Sequence, residues 1–190
     1  GNEIISQPIK GTSRRGLNLE EDVILAKKLS QSSKDISENT MIVDLVRNDL
    51  SITAKPASVK VEKLCGVYTF SHVHQMISTI SSTLKEKNNF VDVLSTTFPM
   101  GSMTGAPKIK AMQLIEKYEE SKRDVYSGSV GYITPNGDFD FNVIIRSLLY
   151  DSQKKHLSFT VGGAIVSKSE AINEYEECLI KAKPIFQIFS

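Results

Sequence analysis

Four acidic residues occur as two pairs with one spacing, Asp35 with Glu38 and Glu174 with Glu177. Both pairs fall in stretches that read as helix. At roughly 100° per residue, a separation of three leaves two side chains about 60° apart, so each pair shares one helix face. Each pair alone equally fits a solvated face. Were the two helices to meet, up to four carboxylates would converge, and like charges at that range call for a cation. A donor set made only of oxygens favours Mg2+ over zinc.

Four other groups invite chemistry. Lys10 lies in Pro8-Ile9-Lys10-Gly11-Thr12. An ordinary lysine amine, with a pKa of about 10.4, is protonated at neutral pH. Only burial or a neighbouring cation frees its lone pair for attack. Gly101-Ser102-Met103-Thr104-Gly105-Ala106-Pro107-Lys108 is a small-residue turn opening a helix. It fits either a plain helix start or an anion seat built from free N–H groups and the dipole's positive end. It is not a Walker motif. Gly162-Gly163-Ala164 ends a strand, as a bulge or as a place where a ligand meets backbone. Arg146 stands among Val143, Ile144, Ile145, Leu148 and Leu149 in an apparently apolar strand. An arginine there needs an anion, either a structural carboxylate or a carboxylate ligand held by its fork.

The elements that must position these groups follow from periodicity and caps. Ile4 to Gly16 reads as extended chain. Leu17 to Leu29 and Lys34 to Asn48 read as helices, the first with Glu20, Glu21 and Asp22 in its opening turn. Ser58 to Phe70 reads as a strand, and His72 to Leu84 and Val91 to Thr97 as helices. Pro107 to Glu120 reads as a helix with proline in its first turn. Tyr126 to Thr134, Phe139 to Tyr150 and Leu157 to Val166 read as a three-stranded antiparallel meander, its first turn carrying Asn136-Gly137. Ser169 to Phe189 closes the chain as a helix capped by Ser169. Helices with an antiparallel sheet make an α+β fold.

Composition narrows the class. Of 190 residues, 40% are hydrophobic and 24% charged, which excludes a disordered chain. The balance of 23 Lys+Arg against 22 Asp+Glu argues against a dedicated nucleic-acid binder. No apolar run approaches the roughly 20 residues that span a bilayer. Cys65 and Cys178 have no CxxC spacing and read as free thiols of a reducing cytosol. No signal peptide is expected, and no Cys-His-Glu glutaminase triad can be assembled from the sequence.

In order along the chain stand Pro8-Ile9-Lys10-Gly11-Thr12, the run Glu38 to Leu50 (ENTMIVDLVRNDL), Gly101 to Lys108, Gly128-Ser129-Val130-Gly131-Tyr132, Ile145-Arg146-Ser147 and Glu174-Tyr175-Glu176-Glu177. This ordered set resembles the chorismate-utilising enzymes, among them anthranilate, aminodeoxychorismate, isochorismate and salicylate synthases. Lysine at residue 10, where anthranilate synthases usually carry alanine, points to the aminodeoxychorismate synthase branch, which serves para-aminobenzoate and folate biosynthesis.

The resemblance implies an antiparallel sheet with flanking helices, incomplete at the N-terminus, with residues 1–190 as the C-terminal portion of a catalytic domain whose general acid/base glutamate lies upstream. It implies chorismate as substrate, ammonia from a glutamine amidotransferase subunit, and Mg2+ held by Glu38 and Glu177, with Asp35 and Glu174 in support. Lys10 would be the nucleophile, with Gly11 and Thr12 lining the side where ammonia arrives. Arg146 and Tyr126 would hold the enolpyruvyl carboxylate, and Thr104 and Gly162 the substrate carboxylates. Gln75, beside His74, and Ala164 stand where the family has histidine and glycine. A non-catalytic scaffold that binds a glutaminase subunit is the alternative from another class.

Overall fold

The computed structural model describes residues 1–167 and 169–189. Its contacts divide the chain into two units, one of residues 1–119 with 134–138, the other of residues 120–133 with 139–190.

The first unit is organised by one strand, β4. Around it stand β1 (Glu3–Ser6), β2 (Ile9–Arg14) and β3 (Lys60–Thr69), with β4 spanning Val73–Thr83. Strands β1 and β2 run antiparallel to β4 along one edge, and β3 along the other. The stretch His72 to Leu84, expected as a helix, is therefore the central strand. Its reading failed for a physical reason. Met76, Ser78 and Ile80 are fully buried and Ser82 on the same face is nearly so, as are Ile77 and Ser81 on the other face. A strand covered on both faces loses the polar alternation that marks a half-buried one.

Helices α1 (Leu19–Ser30) and α2 (Ser33–Thr53) pack against this sheet, and α3 (Phe90–Thr97) packs against α2. Each begins at a readable cap. The Asn18 side chain accepts from the Glu21 N–H at 2.9 Å, and Ser32 Oγ accepts from the Asp35 N–H at 3.3 Å. Asn89 accepts from Val91 N–H while Asp92 accepts from Asn89 N–H. On α2, Ile42, Val43 and Leu50 are buried with β4's Met76 and Ile80 in the core. Each such side chain contributes roughly 1.5–3 kcal/mol by leaving water. A single 3-10 turn, Gly101–Met103, precedes α4 (Lys108–Tyr118).

The second unit holds two hairpins and a helix. Strands β5 (Ser129–Ile133) and β6 (Phe139–Val143) pair, as do β7 (Leu149–Asp151) and β8 (His156–Ser158). The expected three-stranded meander is thus two separate pairs. The β5–β6 ladder runs out where Gly128 N–H turns back to Val125 C=O and Ile144 N–H closes on Gly128 C=O. The chain then breaks at Arg146, whose φ is +50°. After Ser158 the chain leaves the hairpin, and Phe159 packs edge-on against Phe186 of α5 (Ala171–Phe186), centroids 5.4 Å apart. The turn Asn136-Gly137 is where the sequence placed it, with Gly137 at φ +85°. Helix α5 is capped at Glu170 rather than Ser169. The Ser169 hydroxyl accepts from Val166 N–H at 3.0 Å and donates to Glu174 Oε1 at 2.7 Å, which takes it away from the capping position.

No helix among the described residues is long and apolar enough to cross a membrane. Cys65 and Cys178 are free thiols.

Candidate active site

In the first unit, Lys10 and Gly11 occupy an irregularity in the β2–β4 ladder. Ile9 pairs with Ile77 and Thr12 with Gln75, and the register shifts between them. The bulge is possible because Gly11 takes φ +85°, a region costly for any residue with a Cβ. It presses the backbone onto α2: a Cβ on Gly11 would lie 3.0 Å from Asp35 Cβ, Cγ and Oδ1. Lys10 is half-buried there, and Thr12 is exposed. Asp35 and Glu38, three residues apart on α2, are both half-buried. The amine-bearing loop and the first acidic pair are therefore neighbours through Gly11.

Below them, Gly101 packs on α2, where a Cβ would lie 3.1 Å from Leu45 Cβ and Cδ1. Thr104 Oγ donates to Met100 C=O at 3.1 Å and closes the turn. Helix α4 starts at Pro107 with no side-chain cap. Lys108 Nζ reaches Asp49 Oδ2 at 2.7 Å, with both side chains largely buried. Burial pushes the Asp49 carboxyl up, and the Lys108 ammonium opposes the rise. A cavity of about 740 Å3 opens beside this pair between α2 and the start of α4, lined in part by Thr40, Met41, Leu45 and Pro107.

In the second unit, Tyr126, Gly162, Gly163, Glu174, Glu177 and Lys181 are brought together. Gly162 is packed so that a Cβ would lie 2.9 Å from Tyr126 Oη. Lys181 Nζ donates to Gly162 C=O at 3.0 Å and pairs with Glu177 Oε1 at 2.6 Å. A Cβ on Gly163 would come within 3.2 Å of Glu174 Oε2. Gly162 does not end a strand, because β8 stops at Ser158. Its carbonyl bonds to Lys181 instead of a ladder. Arg146 is also not in a strand. It is exposed at the left-handed bend between β6 and β7, and no ion pair holds it among the described residues. The structural carboxylate weighed for it is absent among those residues.

The two acidic pairs share a design. One acid of each sits against a glycine, Asp35 on Gly11 and Glu174 on Gly163, and all four acids are half-buried. Their oxygens are the hard donors that suit Mg2+. Within each unit, no cluster of three or more His, Cys, Asp or Glu side chains forms among the described residues. Each unit holds one pair.

The sequence reading passed over Lys181, although Glu177 and Lys181 stand at the i, i+4 spacing that marks a helical ion pair. It gave no role to Asn39 or to Ser78, because nothing in their local sequence shows that the two side chains meet. His74, beside Gln75, is buried and bonds Asp22 Oδ1 and Thr69 Oγ, both at 2.9 Å.

Comparison with known proteins gives this geometry a context. Aminodeoxychorismate synthase of Streptomyces griseus is 42% identical over 183 residues, covering 96% of this chain and 25% of that protein. Anthranilate synthase component 1 of Aquifex aeolicus is 40% identical over 184 residues, covering 97% of this chain and 37% of that protein. The crystal structure of anthranilate synthase component I from Streptococcus pneumoniae superposes with a TM-score of 0.79 at 35% identity, over 96% of this chain and 39% of that one. The chain thus spans well under half the length of these relatives. A family model described as chorismate binding enzyme matches residues 1–187, and on that match the chain belongs to the chorismate-binding enzyme family.

Proposed function

We propose that this chain is the C-terminal portion of the catalytic domain of a cytoplasmic aminodeoxychorismate synthase component I. Such an enzyme converts chorismate and ammonia to 4-amino-4-deoxychorismate and water. The observation that carries the reading is the seat of Lys10, half-buried in a bulge whose glycine abuts the acidic face of α2. Lysine at this place is what the aminodeoxychorismate branch usually carries, and a relative of that name matches at 42% identity.

The chemistry uses the amine twice. The Lys10 Nζ forms a bond to ring C2 as both conjugated ring double bonds shift and the C4–O bond breaks, the hydroxyl leaving as water with a proton from a general acid outside residues 1–190. Ammonia then bonds to C4, both double bonds shift back, and the C2–N bond breaks to return the lysine amine. Two conjugate displacements replace one difficult substitution. Thr12 and Gly11 line the C4 side. Tyr126 and Arg146 hold the enolpyruvyl carboxylate, while Thr104 and Gly162 orient the carboxylates through hydroxyl and backbone. Mg2+, when held by Glu38 and Glu177 with Asp35 and Glu174 in support, supplies Lewis-acid polarisation of the ring carboxylate. A glutamine amidotransferase subunit supplies the ammonia.

Anthranilate synthesis is the second reading, favoured by the 40% identical relative of that name. Product analysis of the intact protein with chorismate, Mg2+ and ammonium separates them. Aminodeoxychorismate is expected, lost in Lys10→Ala; anthranilate or isochorismate from the wild type overturns the assignment. A scaffold without activity would give no heat on calorimetric titration with Mg2+ and chorismate.

A further inference from the structure

Resting on that reading, we infer that Ser78 and Asn39 are positioning residues, which tie the Lys10 loop and the Glu38 turn to one point on β4. The backbone N–H of Ser78 donates to Pro8 C=O at 3.1 Å, two residues before Lys10. Its hydroxyl donates to Asn39 Oδ1, and Asn39 follows Glu38 directly on α2. Cys65 completes a ring. Its N–H donates to Ser78 Oγ at 2.8 Å, and its thiol faces Asn39 Oδ1 at 3.6 Å. The hydroxyl thus accepts from the Cys65 N–H and donates to Asn39 Oδ1 at once. Cys65 itself sits at φ +50°, at a register shift of β3. One serine side chain thus joins β4 to β3 and α2, and its backbone holds the link between β1 and β2.

Stability alone does not account for the ring. Asn39 is fully buried, and its Nδ2 has no hydrogen-bond partner among the described residues. An unpartnered buried donor is destabilising, and an apolar residue would pack without that penalty. What the amide provides is a fixed rotation of α2 about its axis. Asp35, Glu38, Asn39 and Ile42 follow the i, i+3, i+4, i+7 pattern, so locking Asn39 to β4 sets the direction of both carboxylates relative to Lys10.

The test uses Ser78→Ala and Ser78→Cys in the intact protein, with Mn2+ as a spectroscopic stand-in for Mg2+. Free Mn2+ measured by electron paramagnetic resonance gives affinity without reference to activity. Ser78→Ala is expected to weaken Mn2+ binding about tenfold, the size of effect typical of groups that orient metal ligands. The Mg2+ concentration for half-maximal rate should rise in step, while the KM for chorismate at saturating Mg2+ changes by less than about twofold. Ser78→Cys, with a weak S–H donor, should fall between, and it decides the matter if the alanine variant does not fold. Folded variants that bind Mn2+ as the wild type does overturn this inference alone. A wild type that neither binds Mn2+ nor turns over chorismate overturns the functional reading itself.

Discussion

Gly11 lies against Asp35 so closely that a Cβ on residue 11 would stand 3.0 Å from three Asp35 side-chain atoms. The glycine is required twice, by its φ of +85° and by the approach of α2. Gly11→Ala should therefore do more than strain one residue. Left-handed backbone costs an alanine about 1–2 kcal/mol, and the added methyl pushes on the carboxylate beside the amine loop. Urea unfolding should register a loss of that size, and turnover should fall by about tenfold or more, as misplaced catalytic groups do. Turnover equal to wild type would separate Gly11 from the site.

Gly162 stands in the same relation to Tyr126, with 2.9 Å between its would-be Cβ and the phenol oxygen. Here the neighbour is the far end of a side chain and can swing away. Gly162→Ala should leave the fold intact and displace Tyr126 from the substrate. The expected signature is a KM for chorismate raised roughly tenfold, about 1.4 kcal/mol, with kcat nearly unchanged. A fall in kcat at constant KM would place Tyr126 in the chemical step instead.

Much of this arrangement was readable, and what escaped did so for definable reasons. The helices read over Leu17 to Leu29 and Val91 to Thr97 fall within two residues of α1 and α3, and the turn at Gly137 is where Asn-Gly demands it. Strand β4 was misread because residues such as Met76, Ser78, Ile80 and Ser82 on one face, and Ile77 and Ser81 on the other, are all covered. Periodicity reports exposure, and a doubly covered strand has little to report. Arg146 looked like a strand residue because its neighbours are apolar, but a left-handed φ leaves no trace in side-chain type unless the residue is glycine or asparagine. The ring of Cys65, Ser78 and Asn39 joins residues far apart in sequence, and no local pattern encodes such a meeting.

Asp22 makes acid sensitivity predictable. Arg15 grips both its oxygens at 2.8 Å, the Gly16 N–H donates to Oδ1 at 2.7 Å, and His74 Nε2 stands at 2.9 Å. The Arg15 guanidinium first, then the Gly16 N–H, hold the carboxyl well below the usual range, against the opposing effect of burial. A depressed carboxylate pKa stabilises the fold fully above the unfolded value of about 3.9 and ceases to do so as pH falls below it. Asp22→Asn should lower stability at pH 7 and flatten the decline below about pH 4. Denaturant midpoints measured from pH 3 to 7 test this, and parallel profiles for wild type and variant would refute it.

Lys108 and Asp49 pose the opposite case. Burial raises the Asp49 carboxyl, and the ammonium at 2.7 Å is what keeps it charged. Lys108→Met should leave that carboxylate buried and uncompensated, costing about 3 kcal/mol at pH 7. The sign of the pH response then follows. A carboxyl whose folded pKa exceeds its unfolded one takes up its proton more readily when folded, so its penalty builds as pH rises from the unfolded value of about 3.9 to the folded one and is relieved as pH falls back. The variant should regain stability relative to wild type as pH falls from 7 towards about 4, measured by urea unfolding. Adding Asp49→Asn should recover most of the loss at pH 7, because the pair's removal costs less than its breakage. Because Asp49 and Lys108 join α2 to the first turn of α4, the same double variant also asks whether the Gly101–Lys108 turn needs this ion pair to stay beside α2. Stability restored without turnover would mean that it does.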